Sequence, residues 1–532
     1  MKEHVKYWRE KNNQLLVKAC LLIIILLTSL LSGCTTQKLF ESGTSEEGND
    51  LFIGLLMDTL GFHPWMEAYD IETMSVNSNI FNSLVEFDKD FRLTPSLATS
   101  WNNPDNLTWR FHLREGVTFH NGYTFSAEDV KYTIELILND EGSVLRDLIA
   151  SITNVTIVDT YTVDIKTDQP NPILLNKLVD IFIVSKEYQE ETEEQWPIGT
   201  GGYQLKEYNK DDYILLERFD DYWKGAPEVR RVNFKVYNDY EIRKSAFLDK
   251  TIDICGVHPD DYDTFSTTPG IQLQTISSPT VFYLSFNFRP TITINGTEVV
   301  NPVANLSVRK AIYHAINVDE IIDTLYKGFD APASQFVTPL VFGYNPDIER
   351  LDYDVAQAQQ LMTEAGYQDG FEIEFDCTDD NESLELTEEF VRYLAEINIT
   401  VKLNPLSIGD YYYRIDSGES SFYMIGWLAS TADGGEIFDY LLRTNDPENA
   451  VGSYNSGGYS NSEVDRIGEE ISTLMDPEQR LALMQEGFAL AMDDVAWVPL
   501  FISQEIFATQ DYIDYTPRGD LSYKVEEIGF LT

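Results

Sequence analysis

The sequence predicts a mixed α/β protein built on open β-sheets. The chain has 532 residues, of which 43% are hydrophobic and 13% aromatic, a composition typical of globular proteins that bury a sizeable core. Segments that alternate apolar and polar residues, as strands do, recur between segments with the apolar spacing of helices. Such an alternation favours sheets that are covered by helices.

The amino-terminal segment is predicted to be a signal peptide that does not belong to the fold. Five basic residues accompany an apolar run at 19–31, which is shorter than the roughly 20 residues that span a bilayer. The run ends in Leu31-Ser32-Gly33-Cys34, which resembles the lipobox of bacterial lipoproteins. We expect residues 1–33 to be removed, Cys34 to be lipidated and 34–50 to be a flexible tether. The alternative is cleavage elsewhere with an incidental cysteine.

The charge of the chain narrows its partners. The formal net charge is −50, and residues 1–33 contribute +3, so the remainder carries about −53. Such a charge argues against nucleic acids and anionic lipids as partners. The acidic residues are scattered and indicate a solvated shell, which suits a halophilic source. Cys255 and Cys377 lie in apolar, strand-like contexts, which favours free thiols over a disulfide, and we predict no metal and no cofactor.

Strand patterns dominate the first half of the chain. We expect strands at 51–57, 107–114, 117–120, 155–158, 162–165, 204–208, 213–218 and 253–257, and helices at 79–87, 127–138 and 241–249. Ser126 and Asp129 resemble a capping box at the start of the second helix. The segment Gly199-Thr-Gly-Gly-Tyr203 is interpreted as a turn, because neither a lysine nor a helix follows it as a phosphate-binding loop requires.

The second half mixes helices and strands more evenly. We expect helices at 308–325, 355–365, 385–397, 461–474 and 477–492, and strands at 281–288, 371–375, 399–403 and 497–502. Catalytic patterns do not stand out in either half, and His112 and His120 are interpreted as surface or strand-face residues on adjacent strands. We therefore predict that the protein is not an enzyme.

The most specific spacing lies between residues 97 and 130. It comprises Leu97-Ala-Thr-Ser-Trp101, Phe111-His-Leu-Arg114, Val117-Thr-Phe119, Gly122 and Ala127-Glu-Asp-Val130. These segments resemble the signature of the family 5 solute-binding proteins of ABC importers, the oligopeptide-, dipeptide- and nickel-binding group. Further matches are Asp221-Tyr-Trp223, Phe247–Asp253, Tyr283–Asn287, Val308–Asn317, Gly426-Trp427, Tyr459–Asn461 and Val498-Pro-Leu500.

The resemblance implies a two-lobed periplasmic-binding-protein-like fold of type II. Lobe I would comprise 51–79, 191–282 and 500–532, with a β-rich subdomain inserted at 80–190, and lobe II would comprise 283–499. Closure of the lobes would bury a ligand, and the closed form would dock on an ABC permease. The implied protein is a monomer anchored at the outer face of the cytoplasmic membrane, extracellular or periplasmic.

The resemblance also implies ligand contacts. In peptide-binding members a carboxylate shortly after the Gly-Trp motif pairs with the ligand's ammonium group. Ser430 stands at that position, so amine recognition is expected from Asp433, Glu436 or Asp439. Trp427, beside Gly426, is expected to pack on the ligand, with core packing as the alternative, and a helix cap is the alternative for Asp433. The other expected contacts are Glu67, Tyr69, Asp70, Asn287 and Phe501.

Three functions stay open at this point. A peptide receptor without catalysis is favoured, because lobe closure can satisfy the polar backbone and terminal charges of a dehydrated peptide. A nickel or metal-chelate receptor on the same architecture is the second possibility. The third, from another class, is an extracytoplasmic enzyme or chaperone on this scaffold.

Overall fold

The computed structural model describes residues 49–66, 70–191, 196–294 and 297–531. The predicted signal peptide, Cys34 and nearly all of the tether lie outside these ranges. Within them, no helix combines the length and apolar character that a membrane crossing needs.

The described residues form 21 strands and 14 α-helices, which we number in chain order. The strands are β1 Asp50–Leu55, β2 Val85–Phe87, β3 Leu93–Pro95, β4 Ala98–Asp105, β5 Thr108–Leu113, β6 Ile152–Asp159, β7 Thr162–Thr167, β8 Tyr203–Asn209, β9 Tyr213–Arg218, β10 Arg231–Val236, β11 Ile254–Gly256, β12 Ile271–Phe286, β13 Thr291–Ile294, β14 Thr297–Val300, β15 Ala331–Pro332, β16 Phe371–Thr378, β17 Ile399–Leu406, β18 Phe422–Leu428, β19 Trp497–Gln510, β20 Ile513–Asp514 and β21 Gly529–Phe530. The helices are α1 Ile71–Ile80, α2 Ala127–Asn139, α3 Leu174–Leu178, α4 Lys186–Glu191, α5 Tyr240–Leu248, α6 Tyr262–Thr267, α7 Leu306–Ala315, α8 Val318–Leu325, α9 Val355–Glu364, α10 Asn381–Ala395, α11 Ile408–Asp416, α12 Gly435–Ile437, α13 Ser462–Ile471 and α14 Pro477–Asp493, and a π-helical turn Phe438–Leu442 follows α12.

One large mixed sheet organises the molecule. Its order is β17-β16-β18-β12-β19-β11-β1-β10-β9-β8, with β15 also on β19. The two longest strands, β12 and β19, lie side by side between the two ends of the sheet, with β12 next to β18 and β19 next to β11. Their register shifts between Ser277 and Val281, where Pro279 has no N–H to donate. We call β12 and β19 the hinge strands, the end with β1 and β8–β11 lobe I, and the end with β16–β18 lobe II.

Each lobe has its own hydrophobic core. In lobe I, Ile53 of β1 and Phe234 of β10 are fully buried, and their cluster continues into the four-stranded sheet β4-β5-β7-β6, where Phe111 is buried. In lobe II, Ile312 of α7 and Phe375 of β16 belong to a separate cluster. The apolar residues of these strands therefore point into a core, as their alternation in the sequence predicts. The inserted subdomain and its boundaries stay a prediction.

The capping box is confirmed, but three predicted elements are wrong. The predicted helix at 79–87 is replaced by α1, which begins after the capping side chain of Asp70, and by β2. The strand at 117–120 is reduced to one isolated bridge. The helix at 308–325 divides into α7 and α8, because the Asn317 side chain accepts the Glu320 N–H at 3.1 Å and starts a new helix.

The glycine-rich segment is a turn, as predicted, and packs against the end of α1. A Cβ atom on Gly199 would lie 2.0 Å from the carbonyl oxygen of Ile80, and one on Gly201 would lie 2.3 Å from that of Asn79. His120 accepts the Gly199 N–H and contacts the Gly201 carbonyl oxygen at 3.0 Å. Burial lowers the pKa of His120 to about 4, so its imidazole is neutral and holds this turn.

The prediction for the two cysteines is confirmed. Cys255 and Cys377 are buried free thiols. Arg309 is buried, and its guanidinium caps backbone carbonyls, among them that of Val495 at 2.9 Å. This side chain therefore stabilises lobe II.

Candidate ligand-binding site

Two cavities lie between the lobes. The first, about 1000 Å³ and called here the Trp427 cavity, is lined by α1, by residues between 81 and 182 and by the loop after β18. The second, about 810 Å³ and called the Phe501 cavity, is lined by α1, α5, α10 and the hinge strands. They meet at Ile71, the first residue of α1, which lines both and is 38% exposed. Together they form a cleft large enough for a ligand of several residues.

An open strand edge faces this cleft. The strand β18 pairs with β12 along its whole length but meets β16 only at Tyr423. The Tyr411 hydroxyl donates to the Met424 carbonyl, so the backbone of Met424 points away from β12. Because strand residues alternate, the backbone groups of Gly426 and Leu428 point to the same open edge, where the Leu428 carbonyl also accepts the Ser430 N–H at 2.9 Å. An extended chain can therefore be added to β18.

The sequence at this edge fits the role. A Cβ atom on Gly426 would lie 2.8 Å from the ring of Phe282, so only glycine leaves this ring in place. Trp427 follows and lines the Trp427 cavity. Its ring lies 5.3 Å from that of Tyr454 and 5.8 Å from that of Tyr440, measured between centroids. These three rings form an apolar wall with polar tips, on which a ligand backbone can pack.

Glu436 lies behind this wall and positions it. Its carboxylate accepts the Trp427 indole N–H at 2.9 Å and both the N–H and the hydroxyl of Thr431. Burial raises the pKa of Glu436 to about 7 despite these hydrogen bonds. Only 3% of the residue is exposed, and it does not line the cavity. Glu436 is therefore a positioning residue, and its prediction as a direct amine partner is corrected.

Asp433 forms an internal ion pair. Its two oxygens accept from the Arg480 guanidinium at 2.6 and 2.7 Å, and one also accepts the Gly435 N–H at 2.8 Å. Both side chains of the pair are nearly fully buried, and Asp433 does not line either cavity. The alternative of a capping role, rather than amine recognition, fits this geometry.

Two other carboxylates do face the Trp427 cavity. Asp439 projects from the π-helical turn and lies 3.3 Å from Arg443. Asp180 follows α3 and makes no hydrogen bond or ion pair with the residues that the structure describes. Burial, together with the charges of Glu436 and Asp520, raises the pKa of Asp180 to about 7. A ligand cation would relieve this unfavourable arrangement.

A cation lies near Asp439. Burial lowers the pKa of Lys177, which lines the same cavity, although the charge of Asp439 opposes the shift. The neighbouring Asn176 donates to the Thr431 carbonyl of lobe II at 2.6 Å. Phe87 and Phe91 pack on Ala432 of the same loop. These contacts join Asn176, Phe87 and Phe91 to the loop after β18.

The predicted contacts are thus divided between places. Asp70, Ser430, Trp427 and Asp439 line the Trp427 cavity, and Gly426 and Phe501 line the Phe501 cavity. Asn287 lines neither: its amide is buried and donates to the carbonyls of Gly418 and Ser420, so its prediction as a ligand contact is corrected. Glu67 and Tyr69 lie outside the described residues.

Sequence reasoning missed Lys177, Asp180, Tyr440, Tyr454 and Arg243. All five line the cavities but come from segments without a motif. A signal was available only for Tyr440, which follows the predicted Asp439 directly.

A model of the "Bacterial extracellular solute-binding proteins, family 5 Middle" matches residues 92–449. The chain belongs to this family. Consistent with a solute-binding family, the Heme-binding protein A of Haemophilus influenzae is 27% identical over 525 residues, covering 89% of this chain and 92% of the relative. The Dipeptide-binding protein of Escherichia coli K12 is 27% identical over 421 residues, covering 72% and 76%. Neither of these two relatives is named as an enzyme.

Solved structures of family 5 proteins show the same fold. The periplasmic binding protein DppA from Helicobacter pylori, in complex with the peptide STSA, superimposes with a TM-score of 0.75 at 24% identity, covering 91% of this chain and 98% of that one. The two-lobed type II fold predicted from the sequence is confirmed, and the family is extracytoplasmic.

Proposed function

We propose that this protein is the peptide receptor of an ABC importer, which captures peptides between its lobes and delivers them to a membrane permease. The observation that carries the proposal is the open edge of β18 beside the Trp427 cavity. An extended peptide can pair with the backbone of Gly426 and Leu428, while Trp427 covers its backbone. Backbone pairing of this kind accepts many side chains, as a peptide receptor requires.

Asp439 and Asp180 supply the negative charge for the peptide's ammonium group. They take the place of the carboxylate that peptide-binding members have at the position of Ser430, and both face the cavity. An ammonium group that contacts either of these partly buried carboxylates gains more from the interaction than it would in water, because the local dielectric is lower. We therefore place the amino end of the peptide in the Trp427 cavity.

Of the three proteins compared above, two are named for peptides and one is named for heme, an iron chelate. One relative is a dipeptide-binding protein, and one superimposed structure holds a tetrapeptide. We further propose that the protein has no catalytic activity, acts as a monomer and is anchored through Cys34. A tether of this length keeps the receptor near its permease and raises its effective concentration there.

A melting experiment tests the peptide assignment. The chain from residue 35 is titrated with tripeptides of the Ala-Ala-X type, with Ni²⁺ and histidine, and with oligosaccharides. A peptide at 100 times its Kd should stabilise the protein by about 2.7 kcal/mol. Stabilisation by the nickel complex or the sugars alone would refute the proposal.

Calorimetry on two variants tests the amine partner. Asp439→Asn and Asp180→Asn should each weaken binding of Ala-Ala-Ala by about tenfold or more, and neither should affect its N-acetylated form. Asp323→Asn, an exposed residue of α8 away from both cavities, is the control and should change nothing. Equal losses for the free and acetylated peptides would contradict the assignment.

A further inference from the structure

The Phe501 cavity carries an unusual charge distribution. Eight carboxylates line it, against one guanidinium, that of Arg243. The carboxylates are Glu72, Asp260, Asp330, Asp376, Asp380, Glu382, Glu385 and Glu505. Some already have partners: Asp376 pairs with Arg414, and Asp260 pairs with Lys327. The others have no cation within 4.0 Å among the residues that the structure describes.

One of these uncompensated carboxylates, Asp330, lies within reach of the charges of two others. Asp330 accepts the Gln504 N–H at 3.0 Å. Burial, together with the negative charges of Glu505 and Glu382, raises the pKa of Asp330 to about 7. The three groups therefore surround one region of lobe II and the adjoining hinge strand. A ligand cation placed there would be favoured over a bound proton.

Arg243 is the counterpart on lobe I. Only 8% of it is exposed, and no carboxylate in the described ranges forms an ion pair with it. One terminal nitrogen donates to the Gly256 carbonyl at 3.1 Å, and the buried Nε has no partner in the described part of the chain. The charge of Arg243 acts on Glu72, but the two groups form no ion pair, and a buried cation without a directly bonded counter-ion is costly. The cavity is therefore prepared for an anionic group as well.

The guanidinium of Arg243 and the carboxylates belong to one site. The side chain of Arg243 lies across β1 and β11, where a Cβ atom on Gly54 would be 3.2 Å from its Cγ. The charges of Arg243, Glu72 and Glu505 all act on the hydroxyl of Tyr523, which also lines the cavity. A ligand in this cavity thus meets a guanidinium from lobe I and carboxylates from lobe II.

We propose that the Phe501 cavity holds the last residue of a peptide that ends in lysine or arginine. Arg243 binds the α-carboxylate, and Asp330, Glu382 and Glu505 surround the cationic side chain. This inference rests on the proposed peptide function and adds the preferred class of peptide. With the amino end at Asp439 in the Trp427 cavity, the peptide runs antiparallel to β18.

Titration calorimetry of the chain from residue 35 tests the inference with five tripeptides. They are Ala-Ala-Lys, its carboxamide, Ala-Ala-norleucine, Ala-Ala-Glu and Lys-Ala-Ala. Ala-Ala-Lys should bind about tenfold to a hundredfold more tightly than each of the other four. The carboxamide lacks the α-carboxylate, the norleucine and glutamate peptides lack the cationic side chain, and Lys-Ala-Ala places that side chain at the other end.

Variants separate the two contacts. In Glu382→Gln the preference for lysine over norleucine should fall severalfold, while the loss caused by the carboxamide remains. In Arg243→Met the loss caused by the carboxamide should disappear. Glu388→Gln, an exposed residue of the same helix that does not line the cavity, is the matched control. If Arg243→Met does not fold, Glu382→Gln and the peptide series still decide the question.

The failures are distinguishable. If the tripeptides bind with equal affinity, or if Lys-Ala-Ala binds best, the inference is overturned and the peptide function stands. If none of the five binds while another solute class does, the proposed function itself fails.

Discussion

The buried pair between Asp433 and Arg480 gives the sharpest test of how the loop after β18 is built. Two short hydrogen bonds join the charges, and Arg480 also donates to the Ile471 carbonyl at 2.9 Å. Removing one partner leaves the other charge buried and unpaired. Asp433→Asn and Arg480→Met should therefore each lower the free energy of unfolding by about 3–5 kcal/mol.

The double variant supplies the magnitude of the interaction. With both charges removed, only the hydrogen bonds to the Gly435 N–H and the Ile471 carbonyl are weakened, each worth about 1 kcal/mol. We expect the double variant to lose about 2–3 kcal/mol, well below the sum of the single losses. Urea unfolding followed by tryptophan fluorescence measures all three variants.

A surface pair provides the control, and binding provides the refutation. Arg466→Met breaks the exposed contact with Glu463 and should cost less than about 1 kcal/mol. If Asp433→Asn unfolds like the wild type but loses affinity for free peptides and not for acetylated ones, Asp433 is a ligand contact after all, and our assignment of the pair is wrong.

Three further predictions concern pH and packing. Burial lowers the pKa of His120 in the folded protein to about 4 from its usual 6.5. Stability that is present above pH 6.5 should therefore be lost as the pH falls to 4, by up to about 3 kcal/mol. Urea unfolding of His120→Gln should show a flatter pH dependence in this window. Burial opposes ionisation of Glu86, but Lys524 and Lys224 lower its pKa to about 2 from 4.5. Stability that is present above pH 4.5 should therefore be lost towards pH 2. Glu86→Gln should remove this acid transition in circular dichroism. Gly201→Ala should cost more than about 3 kcal/mol or prevent folding, whereas Gly409→Ala, with nothing within 4 Å, should be near neutral in the same unfolding assay; equal losses would contradict the packing argument.

Elements with a strong local signal were predictable. The helix α2 begins where Ser126 and Asp129 cap it, and β9 has the bounds that its alternation predicts. Elements whose limits depend on distant segments were not. The strands β12 and β19 extend well beyond their apolar runs, because each finds pairing partners at both ends of the sheet.

The candidate site shows the same division. That Trp427 and Asp439 line a cavity agrees with their position in or shortly after the Gly-Trp motif, and their contact with a ligand stays a prediction. Lys177, Asp180 and Arg243 were not predictable, because nothing near them in the chain distinguishes them from other charged residues. Asp433 and Glu436 show the converse, since proximity in sequence could not reveal that one faces Arg480 and the other faces the Trp427 indole.

The sequence alone determined the family, the α/β class and the expectation of an exported, anchored receptor, because spacing and composition are local properties. Only the tertiary structure decided which carboxylates face a cavity and which are neutralised inside the protein. The physical reason is that the charge balance of a cleft depends on many side chains at once. These side chains come from segments that lie far apart in the sequence and belong to both lobes. The acidic character that is merely a solvated shell elsewhere thereby becomes, beside Arg243, a preference for a particular ligand.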